Sequence, residues 1–234
     1  MDYLATHPDA VIRFYASGMV LCVVSDAAYL VSPDARSRCA GYFFLSDHST
    51  TTPPQTPSNG AVHVLCKTIR GVPASAAEAE TLGLFVNAQE AIPMITALEE
   101  MGHKQPLAGN PLETDNSTAD GILKAQVRMK CSKAFDMRHH WLKDRVARKQ
   151  FNLCCAPGKA NRADYYSKHH PPSHHKIMRP QCLQRPQGRP NDPHARVCYS
   201  FGLLPCVTSA VCPVFGRSSM HQFIVLHRFT CSSH

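Results

Sequence analysis

The apolar run Met19-Val20-Leu21-Cys22-Val23-Val24 is the feature that most constrains the fold of this chain. Its residues do not alternate between apolar and polar, so the run predicts a strand that is buried on both faces. Such strands lie at the centre of sheets that carry helices on their faces. The run is also far shorter than the roughly 18 residues that a membrane-spanning helix needs. The chain is therefore expected to contain a layered α/β domain.

The rest of the pattern extends this sheet. Further strands are predicted at 11–15, 40–45, 62–69, around Leu112 and at 151–155, and helices at 76–101, 118–126, 134–149 and 161–168. Pro93 is expected to kink or split the first helix. This order of strands and helices favours an α/β sheet layered with helices.

Charge is strongly polarised along the chain, whose net charge is +8. Residues 1–120 carry 6 basic and 13 acidic side chains, whereas residues 121–190 carry 16 basic and 3 acidic ones. An acidic half followed by a basic half suits an enzyme that uses metal ions on a polyanion, because carboxylates hold cations and Lys or Arg holds phosphates. A basic surface that is merely solvated is the alternative.

Two aspartates follow predicted strands. Asp26 comes just past the buried run, and Asp115 follows the short strand around Leu112. The carboxyl ends of parallel strands meet at one edge of a sheet, so these two carboxylates are expected to be neighbours. A divalent cation would relieve their repulsion, and oxygen ligands favour magnesium or manganese.

Two glutamates lie at the start of the helix predicted at 76–101. Ser75 and Glu78 form a Ser-x-x-Glu capping box, which gives Glu78 a structural role. Glu80 lies on a different helical stripe, which is expected to face the sheet. The other members of that stripe are Leu84, Ala88, Ala91, Ile95 and Leu98. Glu80 is therefore the stronger candidate for a site.

Two of the acids also have a capping alternative. Asn161 can cap a helix and would place Asp164 favourably in its first turn. Asp115 precedes a helix, although Ser117 and Asp120 already form a Ser-x-x-Asp cap there. Each acid taken singly is compatible with a structural role, and the case for a site rests on their order and context.

Six segments over about residues 10–170 carry a family resemblance. They are Val24-Ser25-Asp26-Ala27, Ala40-Gly41-Tyr42-Phe43-Phe44-Leu45, Ala77-Glu78-Ala79-Glu80, Thr114-Asp115-Asn116, Lys133-Ala134-Phe135-Asp136-Met137-Arg138-His139-His140 and Arg162-Ala163-Asp164-Tyr165-Tyr166-Ser167-Lys168. In these segments and in their order, the chain resembles the ribonuclease H domain at the end of copia-type retrotransposon polyproteins. It departs from the family at Ala28, Tyr29 and Thr81, none of which is a metal-binding position.

The resemblance implies a ribonuclease H-like fold, a mixed five-stranded sheet flanked by helices. It implies that Asp26, Glu80, Asp115 and Asp164 are the catalytic residues and hold two Mg²⁺ or Mn²⁺ ions. The implied activity is endonucleolytic hydrolysis of the RNA strand of RNA–DNA hybrids, which leaves a 5′ phosphate and a 3′ hydroxyl. The implied partners are the hybrid and the reverse transcriptase region of a parent polyprotein.

The resemblance also suggests how the chain is divided. Residues 1–9 would be the end of the reverse transcriptase connection, and residues 10–170 the ribonuclease H-like domain. Residues 171–234 contain interleaved Pro, Arg, Gln, His and Cys and are expected to be a disordered tail. The chain is expected to be a fragment of a retroelement polyprotein. No secretory signal or membrane span is recognisable, so an intracellular location without a membrane partner is expected.

A basic helix follows the acidic half and is the predicted surface for nucleic acid. Its cationic residues suit phosphate contacts, which position a duplex without reading its sequence. They are Lys133, Arg138, Lys143, Arg145, Arg148 and Lys149. An ordinary solvated surface is the alternative for this helix.

Three other functions are alternatives to the ribonuclease hypothesis. Histidine pairs and scattered cysteines suggest a zinc module, but no Cys-x-x-Cys occurs, so no zinc is expected. A catalytically inactive remnant that binds nucleic acid nonspecifically is the main alternative. An integrase needs its carboxylates in the order Asp, Asp, Glu, which the order Asp, Glu, Asp, Asp disfavours.

Overall fold

The centre of the sheet is a long antiparallel hairpin that contains the apolar run. The computed structural model describes residues 12, 14, 16–47, 59–117, 121, 133–158 and 161–182. Strand β1 (Val20–Ser32) pairs with β2 (Arg36–Ser46). Asp34 and Ala35 adopt positive φ in the turn between them. Cross-strand pairing therefore extends β1 well beyond the predicted 19–24.

The other three strands complete a mixed sheet. They are β3 (Ala61–Thr68), β4 (Asn110–Thr114) and β5 (Phe151–Cys155). The strand order is β3-β2-β1-β4-β5, with β3 antiparallel to β2, and with β4 parallel to both β1 and β5. The expected mixed five-stranded sheet flanked by helices is confirmed.

Four helices have their bounds within the described part of the chain. They are α1 (Ala76–Glu100), α2 (Lys133–Ala147), α3 (Asp164–Ser167) and α4 (Pro172–Cys182). Pro93 lies inside α1 without splitting it, because one missing N–H does not end a helix that packs along the sheet. Of the helix predicted at 118–126, only Gly121 is described, and it is helical together with Ser117.

Both faces of β1 are buried, as the apolar run predicts. On one face, Leu21 and Val23 pack under α1, whose apolar stripe is buried as expected. On the other face, Cys22 and Val24 pack with Tyr42, and Ala163 and Tyr166 cover them. Burial of this double core accounts for most of the favourable free energy of the fold.

Two sequence predictions are wrong in detail. Asp26 lies inside β1, opposite Ala40, and not past the end of a strand, because β2 pairs with the polar continuation of the run. Ile12 and Phe14, the described residues of the strand predicted at 11–15, are not in a strand. Residues 11, 13 and 15 lie outside the described residues.

Helix α4 lies in the segment that the sequence assigned to a disordered tail. Pro172 is the first residue of this helix, a position where the missing N–H costs nothing, and the Pro171 carbonyl accepts hydrogen bonds from the His174 and His175 amides. Residues 183–234 lie outside the described residues. The described residues all fall within one compact unit of the chain, and the domain limits at 10 and 170 stay predictions.

No helix in the described part of the chain is long and apolar enough to cross a membrane.

Candidate metal centre

Parallel pairing of β1 with β4 brings two acids to one edge of the sheet. Val23 pairs with Leu112 and Val24 with Glu113, so Asp26 and Asp115 are the corresponding residues two positions further along. Asp26 is 1% exposed, whereas Asp115 is half-buried. These two carboxylates are neighbours, as expected, although Asp26 belongs to the strand itself.

Glu80 reaches the same edge from the first turns of α1. Ser75 caps this helix by accepting a hydrogen bond from the Glu78 amide, and Glu78 Oε2 accepts one from the Ala74 amide at 2.7 Å. The expected capping box therefore forms, with Ala74 in place of Ser75 as the amide that Glu78 reaches. This cap leaves Glu78 outside the cluster and fixes the start of α1 over β1.

The carboxylate of Glu80 is buried and only half satisfied. Glu80 is 7% exposed, and its Oε1 accepts a hydrogen bond from the Ala27 amide at 3.3 Å. Its Oε2 has no hydrogen-bond partner among the described residues. A buried oxygen without a partner is destabilising because it has lost its contacts with water, and a bound cation or a proton would offset this loss.

The three carboxylates converge on one point. One oxygen from each of Asp26, Glu80 and Asp115 lies within 4.8 Å of the others, and this is the only such group of three or more His, Cys, Asp or Glu side chains in the described ranges. Helix α1 packs directly on β1 here, since a Cβ on Gly83 would be in ordinary van der Waals contact with the Asp26 carbonyl at 3.5 Å. The geometry is that of a cation site with oxygen ligands.

Burial and mutual repulsion shift the pKa values of two of these acids upward. Burial, followed by the charges of Asp26 and Asp115, raises the pKa of Glu80 to about 8. Burial also raises the pKa of Asp26, against the opposing effect of a hydrogen bond from Ser167. Without a cation, Glu80 therefore holds a proton near neutral pH.

A loop and helix α3 fix the orientation of Asp26. The buried Ser167 hydroxyl donates a hydrogen bond to Asp26 Oδ2. Asn161 anchors the loop before α3, because its side-chain amide donates to the Ser25 carbonyl at 3.1 Å and its Oδ1 accepts from the Ala163 amide. Neither contact was predicted from the sequence, although Ser167 lies three residues after Asp164.

Gly158 lies against the third carboxylate. A Cβ on Gly158 would meet Asp115 Oδ2 at 2.8 Å, so this position leaves room that any other residue would fill. A side chain at this position would push the Asp115 carboxylate away from its place beside the other two acids. Together with the unsatisfied Glu80 oxygen, this arrangement shows that the residues present fit a divalent cation.

Asp164, the fourth predicted ligand, does not join this group. Its carboxylate forms an ion pair with Lys168, one turn along the chain. It is close enough to Asp26 for the two charges to repel each other. Asp164 therefore lies beside the group of three and is already paired with a cation of the chain itself.

The predicted phosphate-binding residues lie in α2 or, for Arg148 and Lys149, in the turn just after it, and they fall into two classes. Arg138 lies over the Phe85 ring at 5.8 Å, Arg145 lies over Trp141 at 5.0 Å, and Arg148 pairs with Asp144 at 2.9 Å. The side chains of Lys143 and Lys149 form no hydrogen bond or ion pair with the described residues. The Lys133 side chain lies outside the described part. The two lysines are thus the freest cations of the described set.

Comparison with known proteins gives a limited result. No protein-family model and no curated protein matches this chain. Among solved structures, the N-terminal ribonuclease H domain of Rv2228c from Mycobacterium tuberculosis is similar over 64% of this chain and 91% of that chain, with 11% identity and a TM-score of 0.44. LC11-RNase H1, isolated from compost by a metagenomic approach, is similar over 63% and 91%, with 10% identity and a TM-score of 0.45. Similarities this low establish neither membership of a family nor an activity.

Proposed function

We propose that this chain is a divalent-metal-dependent nuclease of the ribonuclease H type. Its substrate would be the RNA strand of an RNA–DNA hybrid, and its natural context a retrotransposon polyprotein with a reverse transcriptase region. One observation carries the proposal: Asp26, Glu80 and Asp115 converge from β1, α1 and the end of β4, with a buried Glu80 oxygen left unsatisfied.

Asp26, Glu80 and Asp115 are the residues that would hold the cation, which is Mg²⁺ or Mn²⁺ because every ligand is a carboxylate oxygen. When bound, such a cation stabilises charge on a phosphoryl oxygen and lowers the pKa of a bound water. The protein contributes a rigid and partly dry setting for this chemistry, since Asp26 and Glu80 are buried.

Two of the three acids have a distinct supporting contact. Ser167 holds Asp26 in one orientation, and the Ala27 amide holds one oxygen of Glu80. Because Glu80 retains a proton near neutral pH in the absence of a cation, cation binding is expected to release that proton. Cation affinity should therefore increase as pH rises toward the pKa of Glu80.

The basic part of the chain would hold the nucleic acid. Residues 121–190 carry 16 basic and 3 acidic side chains, and a duplex backbone is the polyanion that fits such a segment. Lys143 in α2 and Lys149 in the turn after it are the described cations that would contact phosphates most freely. Contacts to 2′-hydroxyl groups would then distinguish a hybrid from DNA.

The test is cleavage of an end-labelled RNA–DNA hybrid by the full chain. We expect Mg²⁺-dependent fragments that carry a 5′ phosphate from the RNA strand, and no cleavage of the matching DNA duplex. Asp115→Asn is the paired control, since it keeps the shape but replaces a charged ligand. A folded parent that binds the hybrid without cleaving it would refute this proposal and support the inactive nucleic-acid-binding remnant.

A further inference from the structure

Lys168 brings a positive charge into the acidic site. It follows α3 directly, and its ammonium pairs with Asp164 Oδ1, one helical turn back. The side chains of Lys168 and Asp164 are 45% and 30% exposed, so the pair sits at the rim and not deep in the fold. The fourth acid of the predicted metal site is therefore neutralised by the chain itself.

The ammonium acts on more than Asp164. Burial lowers the pKa of Lys168, but the hydrogen bond to Asp164 and the charges of Asp26, Asp164 and Asp115 outweigh it and raise the pKa. In turn, Lys168 opposes the upward shift in the pKa of both Asp26 and Glu80. Lys168 therefore interacts with all four acids at once.

The position of Lys168 is held by its neighbour. Ser167 is fully buried; its hydroxyl donates to Asp26, and its oxygen also lies 3.1 Å from the Asp164 carbonyl oxygen. Because Ser167 is tied to β1, the next residue is held at the mouth of the carboxylate group. The Lys168 side chain can rotate, but its backbone stays beside the carboxylates.

We propose that Lys168 supplies the second positive charge of the carboxylate site, so that the site binds one divalent cation and not two. This inference rests on the proposed function and narrows it. Three carboxylates remain for one cation, whereas a second cation would need Asp164 and would lie close to the ammonium. A second cation and the Lys168 ammonium would repel each other, so the second cation would bind only after Lys168 had been displaced.

The experiment counts bound cations. Mn²⁺ is titrated into the full chain at low ionic strength, and the free ion is followed by electron paramagnetic resonance. The parent is compared with Lys168→Gln, which removes the charge, and with Lys168→Arg, which keeps it. Lys176→Gln on α4 is the matched control, because it removes one exposed lysine charge from the neighbouring helix. Thermal unfolding confirms that each variant is folded.

We expect one tightly bound Mn²⁺ per chain in the parent, in Lys168→Arg and in Lys176→Gln, and a second in Lys168→Gln. The double variant Asp164→Asn with Lys168→Gln should return to one, since it lacks the carboxylate that the second cation needs. Two tight ions in the parent would overturn this inference and leave the proposed function intact. One ion in both the parent and Lys168→Gln would also overturn it. A parent that binds no Mn²⁺ would overturn the metal site and with it the proposed function.

Discussion

The two halves of the acidic site differ in what neutralises them. Asp26, Glu80 and Asp115 come from β1, α1 and the end of β4, and a Glu80 oxygen among them is buried without a partner. Asp164 lies on a four-residue helix, is 30% exposed and has Lys168 as a partner. Acids of the same type therefore differ in their need for a cation, because burial and a local lysine decide how much charge is left uncompensated.

The sharpest test of this comparison sets Asp115→Asn against Asp164→Asn. Loss of a ligand from the group of three should reduce Mg²⁺-dependent hybrid cleavage by more than ~100-fold, whereas loss of the Lys168-paired acid should cost about 10-fold. Initial cleavage rates at saturating Mg²⁺ give both values. Equal losses in the two folded variants would mean that the two halves do not differ.

Glu80→Gln should remove most of the pH dependence of the metal-free protein. The pKa of Glu80 is raised from 4.5 to about 8 by burial, so the folded state keeps a proton that the unfolded state loses. The free energy of unfolding should therefore be highest below about pH 4.5 and fall as pH rises through about 8, by an amount on the order of a few kcal/mol.

Urea unfolding with a chelator at pH 5, 7 and 9 measures this effect. Glu80→Gln should lose most of the decline because its side chain stays neutral, while Glu78→Gln, which changes a half-buried glutamate two residues away, should decline like the parent. A Glu80→Gln variant that retains the full decline would show that Glu80 is not the buried proton-binding group.

Ser167→Ala tests the link between the two halves. It removes the hydroxyl that orients Asp26, and we expect a loss of about 1–3 kcal/mol in the free energy of unfolding together with cation affinity reduced about 10-fold. Ser173→Ala on α4, an exposed serine, is the matched control. If both variants bind Mn²⁺ as tightly as the parent, Ser167 does not position Asp26.

The smallest effect concerns nucleic-acid affinity. Replacing Lys143 or Lys149 by Gln should weaken hybrid binding and reduce the salt dependence by about one unit of slope each. Arg148→Gln should change the slope less, because Arg148 is already paired with Asp144. The measurement is the hybrid affinity of each variant at several salt concentrations. If the affinity falls with salt at the same slope for all three variants, α2 and the turn after it are not part of the proposed contact surface.

The sequence was sufficient for the centre of the fold and for the group of three. The unbroken apolar run of Met19 to Val24 identified the central strand, and the helical stripe separated Glu80 from Glu78. Both inferences depend on periodicity, which burial imposes directly on the sequence. The end of β1 was missed because pairing with β2, and not local composition, extends it past Asp26.

The pair Asp164 and Lys168 and the helix α4 were harder to predict. An i,i+4 spacing was present in the sequence for the pair, but its place beside Asp26 depends on the loop that Asn161 anchors to β1. Helix α4 begins in a proline-rich stretch, and its histidines contact Tyr165, whose hydroxyl lies 2.8 Å from His175 Nδ1. Such tertiary contacts leave no periodic signal in the chain.

The most direct test of the central claim is to locate a cation. Crystals of the full chain grown with Mn²⁺ would be measured at a wavelength where manganese scatters anomalously. We expect an anomalous peak about 2 Å from a carboxylate oxygen of each of Asp26, Glu80 and Asp115. A well-ordered site at saturating Mn²⁺ with no peak among these three residues, or with the ion bound elsewhere, would contradict it.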